Sequence, residues 1–134
     1  MSHSHQLTIY YEDTDLTGSV YHSNYLKYFE RAREELLGAA ELARIWREEE
    51  VGFVVYKVEC TYRAPAVHGD EIEVRTRVEV ENPWRTLFHQ SCWRLGEEKP
   101  LVDGLVQLVC VDHQGRLVRT PKDLYDALQA MKDD

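Results

Sequence analysis

Three features of the sequence predict an α+β fold in which a curved antiparallel sheet wraps one early helix. Residues 24–37, NYLKYFERAREELL, place Tyr25, Tyr28, Phe29, Ala32 and Leu36 at helical spacing, the mark of a helix with one apolar face. From Gly52 onward the period changes to two, through four successive runs. The connections between those runs are too short for anything but antiparallel pairing.

The elements follow in order. Residues 6–11, QLTIYY, read as a short strand, and the preceding His3 and His5 read as part of a frayed terminus. The helix over 24–37 keeps Lys27, Glu30, Arg31 and Glu34 on its polar side, and Gly38 can end it. Glu30, Glu34 and Glu35 read as solvated or paired with Arg31 and Arg33. A shorter helix fits 39–49, with Leu42, Ile45 and Trp46 on one stripe.

Strands are expected over 53–63, 71–81, 86–95 and 101–112. The second alternates Ile72, Val74, Val78 and Val80 with charges, so one of its faces is wet. The last is the most apolar and is expected to lie deepest. Thr120 and Pro121 open a final helix with Leu124, Leu128 and Met131 on one face, and Thr120 with Asp123 resembles a capping box.

At 134 residues the chain is expected to form a single domain over 1–134. A formal charge of −8 argues against nucleic acid as a partner. No apolar run approaches the roughly 20 residues of a membrane span. The N-terminus lacks the regions of a signal peptide, so a cytoplasmic location is expected. Cys60, Cys92 and Cys110 are far apart and form no CxxC, and they read as reduced, packed thiols. The six histidines have no metal-ligand spacing, so neither a metal nor a cofactor is implied.

The stretch YYEDTDLTGSVYHSNYL, residues 10–26, brings Glu12, Asp13 and Asp15 to the mouth of the long helix. A helix N-terminus presents unpaired N–H groups that can hold an oxyanion. A carboxylate just before it, ionised at neutral pH, would complete an acyl-transfer site, and thioesters suit it because a thiolate leaves readily. The competing reading is capping alone, since Asp and Thr are common there. Gly18 would then serve a positive φ and His22 packing.

The segment DTDLTGSVYHSNYLKYFERARE resembles the signature of the 4-hydroxybenzoyl-CoA type of hotdog-fold acyl-CoA thioesterases. It is most similar to the branch associated with the bacterial Tol–Pal system, patterned D-T-D-x-x-G-V-V-Y-H-x-N-Y-L-x-F-F-E-R-A-R. GFVVYKVECTYRAPAVHGDEIEVRTRV and VCVDHQGRLVRTPKDL are similar to that family's middle strands and to its last strand and helix.

The resemblance implies a hotdog fold and hydrolysis of acyl-CoA to a free acid and coenzyme A. It makes Asp15 the catalytic carboxylate and puts the carbonyl-polarising N–H at or beside His22. Gly18, Tyr21 and Tyr25 become substrate-side candidates, while Glu12 and Asp13 gain no catalytic counterpart. Arg63 and Arg85, ahead of Arg75 and Arg77, are candidates for the coenzyme A phosphates. The chain departs from the pattern at Ser19 and Thr17, which leaves the acyl size open. A homodimer with the site between protomers is expected, and a dimer of dimers beyond it. The alternatives are a non-catalytic acyl-CoA-binding module, or a hotdog dehydratase or hydratase whose His-and-carboxylate motif is not found here.

Overall fold

The computed structural model describes residues 3–131. Five strands form the main antiparallel sheet: β1 (His3–Thr8), β2 (Val51–Tyr62), β3 (Glu71–Asn82), β4 (Arg85–Arg94) and β5 (Val102–Asp112). Their order is β1-β3-β4-β5-β2, and the two-residue strand β6 (Leu117–Val118) pairs with β5. The long helix α1 (Asn24–Leu37) lies on one face, followed by α2 (Ala39–Arg44) and a π-helical turn, Ile45–Glu49. Helix α3 (Lys122–Met131) buries Leu124 and Leu128. This is the expected α+β hotdog architecture.

Alternation sets which face is buried. Ile72, Val74, Thr76 and Val78 of β3 point toward α1, as do Phe88, Gln90 and Cys92 of β4 and Val106 of β5. Tyr25, Tyr28, Phe29 and Ala32 meet them from the helix. The approach is closest at Gly104, where a Cβ would stand 2.6 Å from the Phe29 ring. Only glycine admits the helix at this depth. Gly38 does end α1, at φ 93°, with its N–H donating to the Glu34 carbonyl.

Several expectations are corrected. The first strand starts and ends earlier than 6–11, and His3 and His5 stand in it opposite Thr76 and Val74. Ladder pairing to β3 outweighs terminal fraying there, while residues 1–2 of the expected frayed end lie outside the described residues. The second helix is α-helical only to Arg44 and stops at Glu50, which adopts φ 59°. β2 loses its strict alternation at a register shift between Val55 and Lys57. β4, at the centre of the sheet, is as buried as β5. The Thr120 hydroxyl faces the Cys110 thiol at 3.8 Å.

Candidate active site

The loop before α1 is built around one turn. The Asp15 N–H donates to the Ser19 carbonyl at 2.8 Å, and the Gly18 N–H donates back to the Asp15 carbonyl at 3.0 Å. Gly18 makes that turn at φ +82°, with open space where a Cβ would be. A bridge from Thr14 to Val20 closes the loop, and a bridge from Ser19 to Val67 ties it to the 64–70 segment.

Asp15 is exposed at the surface of this turn. Its Oδ1 accepts two bonds from Thr17, from the N–H at 2.8 Å and the hydroxyl at 2.6 Å. Oδ2 accepts none from the described residues, so one carboxylate oxygen is held and the other is open. The Thr17 hydroxyl, then its N–H, keeps the carboxyl below the usual aspartate range, with a small contribution from His22. Thr17 is a residue the sequence reading missed as functional. Asp-x-Thr is the local signal that could have found it, because such side chains close turns on their neighbours.

Asp13 does a different job. Its carboxylate accepts the Tyr10 N–H at 2.8 Å, and its carbonyl accepts the Tyr21 N–H and the Asn24 side-chain amide. Those bonds aim the chain into α1. At the helix start, Ser23 is the N-cap but its side chain makes no capping bond. The N–H groups of His22 and Ser23 have no acceptor among the described residues, whereas that of Asn24 is taken by the Tyr21 carbonyl. The Tyr62 hydroxyl donates to the His22 carbonyl at 3.1 Å, and the His22 ring packs against Tyr21 with centroids 4.6 Å apart. Two free donors at a helix start are the elements of an oxyanion site.

Tyr25 is buried, and its hydroxyl accepts the Ala66 N–H at 3.1 Å. It ties the helix start to the 64–70 loop, and burial raises its pKa. Behind that loop Arg94 pairs with Asp70 at 2.9 Å and donates to the Pro65 carbonyl, while Asp70 accepts the Val67 N–H. This brace, also missed in the sequence, holds the segment on which the Asp15 loop rests.

The structure thus brings Asp15, Gly18, Tyr21, His22 and Tyr25 to one end of the sheet. Arg63, at the end of β2, shares that end but is paired with Asp103. Arg85 stands at the far end, where β4 begins. It lies over the Tyr56 ring, 4.6 Å from the centroid, and pairs with Glu81 at 3.5 Å. Within one chain it does not join the Asp15 group. The expected pairing of Arg33 with a neighbouring glutamate is also corrected: the side chain turns inward, and its Nη1 donates to Gln90 Oε1.

Residues 10–128 match the model of the thioesterase-like superfamily, and the chain belongs to that family. The acyl-CoA thioester hydrolase YbgC of Escherichia coli is 37% identical over 105 residues, 78% of each chain. The acyl-CoA thioesterase YbgC of Haemophilus influenzae is 34% identical over 133 residues, 96% of each chain. Among solved structures, the hypothetical protein TT1821 of Thermus thermophilus has a TM-score of 0.85 at 34% identity, covering 96% of this chain and 98% of that one. No helix among the described residues is long and apolar enough to cross a membrane.

Proposed function

We propose that this chain is a cytoplasmic acyl-CoA thioesterase in which Asp15 is the reacting carboxylate. One observation carries the reading: Thr17 holds Oδ1 of an exposed aspartate while Oδ2 stays open, beside a helix start with two unengaged N–H groups. The acyl carbonyl sits with its oxygen toward the His22 and Ser23 N–H groups. Oδ2 either attacks the carbonyl carbon or takes a proton from the water that does. The carbon–sulfur bond breaks and the coenzyme A thiolate leaves, taking up a proton that water supplies. When Oδ2 is the attacker the acyl group is left on Asp15 as an anhydride, which a water then hydrolyses to the free acid and Asp15. When water is the attacker the acid forms directly. No side-chain acid is needed for so good a leaving group. The YbgC relatives, named as acting on acyl-CoA, supply the substrate class.

The active unit in this reading is at least a dimer, with a dimer of dimers as the expected assembly. β2 is a 12-residue edge strand, and it exposes Val54, Val55, Tyr56 and Val58. A long apolar edge of this kind calls for a partner, and a second copy closes it with the same surface. Antiparallel β2 pairing sets the Tyr62 end of one strand, next to His22, beside the Val51 end of the other. Arg85 of the partner subunit then comes nearer the Asp15 group than it does within one chain.

The test is release of free thiol from a panel of acyl-CoAs by purified protein. Turnover of at least one acyl-CoA is expected. Tight binding without release on every member would favour the non-catalytic binding module instead. Sedimentation velocity at assay concentration checks the assembly: a fully active species at the chain mass of 15.7 kDa would end the shared-site picture.

A further inference from the structure

Arg33 is the only charged side chain buried among the described residues, with 7% of its surface exposed. It stands in the second half of α1, away from the Asp15 loop. Gln90 is fixed to receive it: the Gln90 amide donates to the Phe29 carbonyl at 2.9 Å and to the Thr76 hydroxyl at 3.0 Å. That orientation aims the Gln90 oxygen at Arg33 Nη1, 3.0 Å away. No carboxylate among the described residues forms an ion pair with the guanidinium, and burial lowers its pKa against the opposing pull of Glu30 and Glu34. A guanidinium carries five N–H donors, and Gln90 engages one nitrogen. A buried cation this sparsely paired is costly unless something else meets it.

The same side chain lines a cavity of about 650 Å³ between the second half of α1, α2 with the π-helical turn, and the start of β2. Leu37, Leu42, Ile45, Trp46, Phe53 and Leu108 make its walls apolar. Glu30 and Glu34 share the Arg33 side of it. Its size falls in the range of small-molecule sites. Residues Val51 to Val55 of the free β2 edge form one wall, so the paired strands of a dimer would set this cavity beside the partner's helix start.

We propose that the cavity receives the acyl group and that Arg33 binds a neutral oxygen, hydroxyl or keto, at the acyl group's distal end. The inference rests on the thioesterase reading above. Apolar walls suit a carbon chain and give nothing to a nucleotide. A chain ending in methyl would strip water from the guanidinium and leave its donors unmet, which costs more than it gains. A chain ending in carboxylate would meet Glu30 and Glu34 as well as Arg33. A neutral oxygen accepts from Arg33 without that repulsion.

The experiment compares octanoyl-CoA, 8-hydroxyoctanoyl-CoA and the eight-carbon ω-carboxyacyl-CoA as substrates of the full chain. It also measures their equilibrium binding to the Asp15→Asn protein by calorimetry. The hydroxylated chain should be preferred about tenfold in kcat/KM and in affinity, as expected for a hydrogen bond to a charged group. Arg33→Met should erase the preference. If that variant fails to fold, Leu42→Trp, which fills the cavity, should erase it instead. Discrimination within about twofold between hydroxylated and plain chains, or a preference that survives the folded variant, overturns the proposal. Turnover without preference would remove the acyl subsite and leave the thioesterase. Preferential binding without turnover of any substrate would leave the subsite and remove the thioesterase.

Discussion

The two ends of α1 are built in opposite ways. At its start, one short segment supplies the proposed site: Asp15, Thr17, Gly18, His22 and Ser23 lie within nine residues, arranged by hydrogen bonds to the backbone. At its far end, Arg33 and the cavity walls come from α1, α2, β2, β5 and α3, and packing arranges them. Local hydrogen bonding places the proposed reacting group, whereas non-local packing shapes the cavity proposed to receive the acyl group.

Neutralising the proposed reacting group should have the largest effect. Asp15→Asn keeps the shape and a carbonyl-type acceptor for Thr17 while removing the charge, so turnover should fall by about 10² or more with acyl-CoA binding retained. Asp13→Asn is the control at the same end. Its role is to receive the Tyr10 N–H, which an amide oxygen still does, so its loss in a thiol-release assay should be far smaller. Equal losses would erase the distinction between reacting and shaping carboxylates.

Gly104→Ala probes packing against the middle of α1, between the two ends. The new methyl would stand 2.6 Å and 3.2 Å from atoms of the Phe29 ring, so the sheet and α1 must separate. Overpacking of this kind costs about 1–3 kcal/mol, read as a lower denaturation midpoint with an unchanged slope. Gly18→Ala meets open space but must hold φ +82°, a strain of about 1 kcal/mol or more. Its stability loss should be the smaller of the two and its loss of turnover the larger.

The same contrast explains what the sequence disclosed. The span of α1 was legible to the residue, because its apolar spacing and Gly38 are local signals. The place of Asp15 in the loop before α1 was legible because its motif is contiguous. The sheet order was not: nothing local says that β1 pairs with β3, or that β2 is left at an edge. Arg33 read as a partner for the helix's own glutamates because it flanks the apolar stripe of α1, and the position of Gln90 on β4 receives it on the inner side instead. Arg85 was a candidate for the coenzyme A phosphates because it stands near a strand end, and pairing places that end away from the Asp15 loop.

Thr17→Val sharpens the account of the exposed end. The Thr17 hydroxyl is the main cause of the depressed Asp15 pKa, and the backbone N–H, which valine keeps, is the second. Removing the hydroxyl favours the protonated carboxyl, so the Asp15 pKa rises toward its ordinary value of 3.8. In the proposed mechanism activity needs the ionised form and fades as pH falls through that pKa. The acidic limb of the kcat/KM profile should therefore move to higher pH in the variant, with only a severalfold loss at neutral pH. An unmoved limb would mean that Thr17 shapes the loop without tuning the carboxylate.

The smallest effect is expected from His22→Ala. The position offers its N–H to the proposed oxyanion site and its carbonyl to the Tyr62 hydroxyl, and alanine keeps both. What is lost is the ring's contact with Tyr21 and Tyr62 and a minor pull on the Asp15 charge. The contact is half-solvated, since Tyr21 and Tyr62 are each 47% exposed, so little packing energy goes with it. Turnover should fall much less than in Asp15→Asn, with the effect mainly on KM if the ring borders the bound thioester. A loss as deep as that of Asp15→Asn would move the imidazole itself into the chemistry. The exposed end of α1 would then act through two side chains instead of one side chain and a backbone.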